Sequence, residues 1–135
     1  MKTAALIVLV LVIALMVYIR LAPTDAARWH VPLGFDTDET LTDGARRIIP
    51  GDAETLAKLD EIARTTPRTK VLAGSVAGGH ITYVTRSAGF GFPDYTTVQL
   101  VNGQIRILAR LRFGKADFGV NAARVDDWLQ ALSQT

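Results

Sequence analysis

Residues 95–113 read YTTVQLVNGQIRILARLRF, and the alternation within them decides the fold. From Gln104 to Phe113, Ile105, Ile107, Ala109, Leu111 and Phe113 fall on one side of a strand, and Arg106, Leu108, Arg110 and Arg112 fall on the other. Successive side chains of extended backbone point to opposite faces, so one face is apolar and the other cationic. Asn102-Gly103 is the pair that a two-residue hairpin turn favours, because both positions take positive φ. Tyr95–Val101 therefore pairs antiparallel with Gln104–Phe113. Upstream, Lys70–Ser75 and His80–Arg86 flank a Gly78-Gly79 turn in the same manner. An antiparallel sheet with one apolar face takes helices on that face, which gives the class α+β: a small antiparallel sheet with helices packed on one side.

Two helices are available for that role. Asp52 is an N-cap, and Leu56, Leu59, Ile62 and Ala63 recur at helical spacing until Thr65-Thr66-Pro67 ends the run. Glu54 in its first turn suits the helix dipole. Asn121 is expected to cap the second helix, whose apolar stripe is Val125, Trp128, Leu129 and Leu132, with Arg124, Asp126 and Asp127 facing solvent or pairing locally. Residues 28–49 contain Pro32, Gly34, Gly44 and scattered acids without sustained periodicity. They read as an extended linker that docks through Trp29, Val31, Leu33 and Phe35.

Ahead of the linker, Ala4–Ile19 is a run of sixteen apolar residues directly behind Met1-Lys2. Arg20 can snorkel to headgroups, which extends the usable stretch to Ala22, roughly 28 Å of a hydrocarbon core about 30 Å thick. A retained transmembrane helix competes here with a cleaved secretory signal, with Lys2 as its charged end and Thr24-Asp25-Ala26 as a weak cleavage site, and with a buried core helix. Lys2 and the free amine favour an N-terminus inside, whereas Arg20 and Arg28 weigh the other way. A short tail before a first helix is the signal-anchor arrangement, with the C-terminal domain outside the cytoplasm. The organisation expected is 1–22 transmembrane signal-anchor, 23–49 linker and docking segment, and 50–135 α+β domain.

Composition excludes several chemistries. The chain has no cysteine, hence no disulfide framework, thiol nucleophile, thioether-bound haem, thiolate metal site or lipoprotein anchor. His30 and His80 are too few for a histidine-only metal site, although carboxylates could complete one. No metal or cofactor is expected. Setting Lys2 and Arg20 aside, the chain carries thirteen basic and thirteen acidic residues, so the domain is neutral and nucleic acid is disfavoured as a partner. The charge is segregated. Asp36–Glu61 holds eight acids against three bases, and Arg68–Arg124 holds eight bases against Asp94 and Asp117. The halves could satisfy each other or present a basic surface.

Arg86-Ser87, then Gly91-Phe92-Pro93-Asp94, then the run from Arg110-Leu111-Arg112-Phe113-Gly114 through Lys115-Ala116-Asp117-Phe118-Gly119 to Asn121 and Arg124 form an ordered set. It resembles the C-terminal signature of the domain of unknown function 1499 family: an Arg-Ser pair, a Phe-x-Asp step, then Ser-Arg-x-Gly-x-Ser-Asp-x-Gly-x-Asn-x-x-Arg. The resemblance spans roughly residues 67–132. Leu111 and Ala116 stand where the family pattern has serine, and the cysteine-containing segment of many members is missing. The resemblance implies a fold unit and a bacterial or plastid setting, and no activity. With the anchor, a bacterial setting implies the inner (cytoplasmic) membrane, a single pass and a periplasmic domain.

The same residues carry the candidate chemistry. Gly114, Gly119, Asn121 and Arg124 read as a structural motif between strand and helix, with Asp117 a fold clamp if it pairs with Arg112, Arg86 or Arg124. The sharper reading makes Arg86, Arg110 and Arg112 converge across adjacent strands, with Asp94 and Asp117 at the rim, to receive an anionic group. On that reading the chain is a membrane-anchored, non-enzymatic binding or assembly module. Its anchor meets membrane lipids, and its arginine face serves an anionic lipid or an acidic partner in an integral membrane complex. The alternative is a small hydrolase-like enzyme with Asp94 and Asp117 as an acid/base pair and His80 as proton carrier. Gly89-Phe90-Gly91-Phe92 lacks the lysine and following helix of a phosphate loop, and its aromatics are read as packing beneath the loop or touching lipid.

Overall fold

The computed structural model describes residues 1–135. In chain order the elements are α1 (Lys2–Leu21), α2 (Ala26–Trp29), β1 (Glu39–Leu41), β2 (Gly44–Pro50), α3 (Ala53–Thr65), β3 (Thr69–Ser75), β4 (His80–Arg86), β5 (Pro93–Val101), β6 (Gln104–Leu111) and α4 (Val120–Ser133). The six strands form one antiparallel sheet in the order β1-β2-β6-β5-β4-β3. The α+β class follows.

The β5–β6 hairpin closes as its turn residues require, with Asn102 at φ 51° and Gly103 at φ 77° and Val101 opposite Gln104. On one sheet face Ile81, Tyr83, Val98, Ile105, Ile107 and Ala109 meet Leu56, Leu59 and Ala63 of α3 and Val125 and Trp128 of α4. Each large aliphatic side chain closed off there contributes about 1.5–3 kcal/mol relative to exposure. One polar link crosses the layer: Tyr83 donates to Asp60 Oδ1 at 2.5 Å, and Asp60 Oδ2 accepts from Arg64 Nε at 2.8 Å. Burial, then the adjacent carboxylate, raises the Tyr83 phenol well above its usual pKa.

α1 stands apart from that core. It is 20 residues long with a mean hydropathy of 2.8, long and apolar enough to cross a membrane, and only Ile19 in it is buried. A buried core helix is thus not what this segment forms.

Three expectations are corrected. The stretch 23–49 is not only linker: β1 and nearly all of β2 lie inside it, and β2 pairs with β6 from Gly44↔Arg110 to Pro50↔Gln104. β6 stops at Leu111, whose amide bonds Asp43 O at 2.9 Å, and Phe113 lies past the last strand partners of β2 and β5. Asn121 is not the cap of α4. The helix starts at Val120 behind Gly119 at φ 81°, and the capping carboxylate is that of Asp117, which accepts from the amides of Gly119 (3.0 Å) and Asn121 (3.1 Å).

Residues 22–35 form a strap across the sheet face opposite the helices. Trp29 and Leu33, each 5% exposed, are buried, as expected of the docking segment, and so is Ala22 at the strap's start, while Val31 and Phe35 are half-buried.

Candidate functional site

The cationic sheet face is real, and most of it is occupied by the chain itself. Trp29 stacks on Tyr95 with ring centroids 4.1 Å apart. The Arg110 guanidinium lies 4.8 Å above the Trp29 ring and donates to Trp29 O at 3.3 Å. Burial, then neighbouring Arg28, lowers the pKa of Arg110 from its usual high value. Arg106 donates to Leu33 O at 2.8 Å, and Gln99 accepts from the Leu33 amide at 2.7 Å. Arg112 donates to Pro23 O (2.9 Å), Tyr95 OH (3.1 Å) and Thr24 Oγ1 (3.3 Å). Strap carbonyls, which extended backbone leaves unpaired, are thus satisfied by guanidinium donors.

The two histidines belong to the same device. His30 and His80 stack at 3.8 Å; His30 Nδ1 bonds Thr82 Oγ1 at 2.8 Å, and His80 Nε2 bonds Val31 O at 3.0 Å. Thr82 bonds Thr97 at 2.9 Å, and Thr97 donates to Trp29 O at 3.0 Å. Burial first, and then His30, lowers the pKa of His80.

Asp94 and Asp117 sit on the other, helix-covered side. Asn121, fully buried, donates through Nδ2 to Asp117 Oδ2 at 2.8 Å and to Asp94 Oδ2 at 3.3 Å. Arg124 donates to Asn121 Oδ1 at 2.7 Å and pairs with Asp94 at 3.4 Å. Asp94, Asp117, Asn121 and Arg124 therefore form one cluster, with Gly119 supplying the turn into the helix. Gly114, at φ 106°, lies in the loop before it. Burial raises the Asp94 pKa, opposed by Arg124. Asp117 pairs with none of the three arginines expected as its partners. It clamps the fold through backbone amides and Asn121.

Arg86 alone of the three face arginines opens onto free space. It donates to Gly91 O at 2.9 Å and to Ile19 O, at the end of α1, at 3.4 Å. Beside it lies a cavity of about 300 Å³ lined by Arg20, Arg68, Lys70, Val84, Arg86 and the glycine-containing loop that follows β4. Arg20 reaches this loop by donating to Gly89 O. Arg68 Nε donates to Arg86 O at 3.0 Å. The four bases take no part in the five ion pairs of the chain, and no acid lines the cavity. Arg86, Arg110 and Arg112 thus serve different ends, and the expected convergence is replaced by a cationic cluster with Arg86 at its centre. Sequence reasoning missed Arg20, Arg68 and Lys70. Lys70 shares a face with Arg86, being opposite Val84, two residues before it, so strand alternation carried that signal; Arg20 is brought in by the fold alone.

The model of the family described as "Protein of unknown function (DUF1499)" matches residues 32–132. The chain belongs to this family. No curated protein matches it. The DUF1499 match begins inside the strap and takes in the sheet, both packed helices, the Asp94–Asp117–Asn121–Arg124 cluster and three of the four cavity bases. Arg20 and the apolar helix lie before it.

Proposed function

We propose that this DUF1499 chain is a single-span, membrane-anchored binding module, with its domain on the periplasmic side, that holds an anionic group in the cavity of Arg20, Arg68, Lys70 and Arg86. The observation that carries this reading is the gathering of four bases without an acid at the end of an apolar helix long enough to span a bilayer. Unpaired like charges repel one another, and an entering oxyanion relieves that repulsion while accepting parallel bonds from guanidinium forks. A role without catalysis is supported by the engagement of Asp94 and Asp117, both bonded to Asn121, the first also to Arg124 and the second to helix amides. A hydrolase-like pair would need a carboxylate free to take or give a proton at a substrate.

The test is gentle extraction of the full chain with its native helix, followed by identification of anionic species that copurify. The wild type is expected to retain one in a salt-sensitive way, and Arg68→Gln with Lys70→Gln to lose it while still folding. Equal retention by the variant at low salt would defeat the reading.

A further inference from the structure

The cavity is joined to the end of α1 from two sides, since Arg20 holds Gly89 O and Arg86 holds Ile19 O. The loop carrying Gly89 also carries Phe90, 52% exposed, and Phe92, 38% exposed, with their rings 5.9 Å apart. On the β6 side, Phe113 meets Tyr18 of α1 edge-on at 6.3 Å. The domain therefore presents three phenylalanines and four bases around the last turn of the apolar helix. If that helix spans a bilayer, its last turn lies where hydrocarbon gives way to headgroups, the depth at which aromatic and basic side chains are favoured. A free phosphate would use the bases and leave Phe90 and Phe92 in water. An acidic protein segment would use the bases and leave unexplained the exposed Phe90 and Phe92 on the loop tied to the end of α1. A phospholipid supplies both an oxyanion for the bases and apolar chains for the exposed phenylalanines of the same loop.

We propose that the cavity lodges the phosphate of an anionic phospholipid headgroup, from the leaflet where α1 emerges, with Phe90 and Phe92 seated in the bilayer beside it. This rests on the anchored, anion-binding reading above and names the ligand. The bound lipid would fix the domain's height and tilt on the membrane, because the phosphate joins the anchor (Arg20) to the sheet (Lys70, Arg86).

The experiment is native mass spectrometry of the full chain in neutral detergent, offered phosphatidylglycerol and phosphatidylcholine in equal amounts. Wild type is expected to retain phosphatidylglycerol preferentially. A basic residue at an anionic surface contributes about a factor of five, so Arg68→Gln with Lys70→Gln should lower the preference roughly twenty-five-fold. Lys70→Glu, at an exposed side chain outside every ion pair, supplies a second variant in which folding is preserved. Lys58→Glu on α3, away from the cavity, should leave the preference unchanged, and Phe90→Ser with Phe92→Ser should reduce retention of both lipids. Equal retention of the two lipids by wild type, or a preference that survives the cavity variants, overturns the proposal. Inorganic phosphate that displaces phosphatidylglycerol as an equal competitor would make this a free-phosphate site instead. Loss of lipid preference alongside an acidic protein retained through the same bases would overturn the lipid and leave the anion-binding module standing; retention of no anionic species would remove both.

Discussion

At Asp117 a single carboxylate receives three donors: the amides of Gly119 and Asn121 and the Asn121 side chain. Removing it strands buried donors at a helix start. Asp117→Ala is expected to cost about 1–3 kcal/mol, read as a lower midpoint in denaturant, with a native-like midpoint counting against the clamp. Arg110→Ala should act on the strap, because its guanidinium is spent on the Trp29 ring and carbonyl. Loss of a partly desolvated cation–π contact of about 0.5–2 kcal/mol should speed hydrogen exchange at the Leu33 amide, and unchanged exchange would show the strap to be held otherwise. Asp94, Asp117, Asn121 and Arg124 stood together only within the ordered signature that carries the family resemblance. The residues themselves suggested an arginine rim for the two carboxylates and a structural motif for Asn121 and Arg124, and their actual partners were not legible. Moving the helix start two residues back, from Ala122 to Val120, converts Asn121 from a cap into a buried bridge, and a two-residue shift lies below what periodicity resolves.

Among the elements, the hairpin and both packed helices could be read from the chain because turn residues and apolar period agreed there. β2 could not. Ala45, Arg47 and Ile49 share the register of the helix-facing β6 residues, and Gly44, Arg46 and Ile48 that of the strap-facing ones, so each face carries an arginine and the alternation cancels. Arg47 on the helix side is explained by Asp126 of α4 at 2.8 Å, a contact no local pattern announces. Gly44 shows how close that pairing is: a Cβ there would lie 2.1 Å from Ala109 O. Gly44→Ala should cost about 1–3 kcal/mol as overpacking, seen by thermal melting, and a neutral outcome would contradict the register. The strap also has a pH dependence of defined sign. His80 has a folded pKa below its usual 6.5, so the unfolded chain binds more protons in that window. Its contribution is fully present above about 6.5 and is lost as pH falls through the folded value, because burial first, and then the stacked His30, oppose the charged form of His80. Stability should decline with acidification in wild type and decline less in His80→Gln; identical slopes would exclude this pair as the cause.

For the whole molecule, the apolar N-terminal run and the basic face are separate features of the sequence, and the fold relates them. The strap turns the face inward, consuming Arg106, Arg110 and Arg112, and what remains open is the corner where Arg86 meets the end of α1. Because Arg20 lies well over forty residues from Lys70 in the chain, no window of sequence holds both. The proposed role depends on that corner staying at a bilayer surface. The most direct measurement is the intact mass of the chain recovered from alkali-washed membranes compared with the soluble fraction. The account predicts a chain that retains the apolar helix Lys2–Leu21 and remains with the membranes. A soluble product beginning near Ala26 would separate Arg20 from the cavity and contradict it.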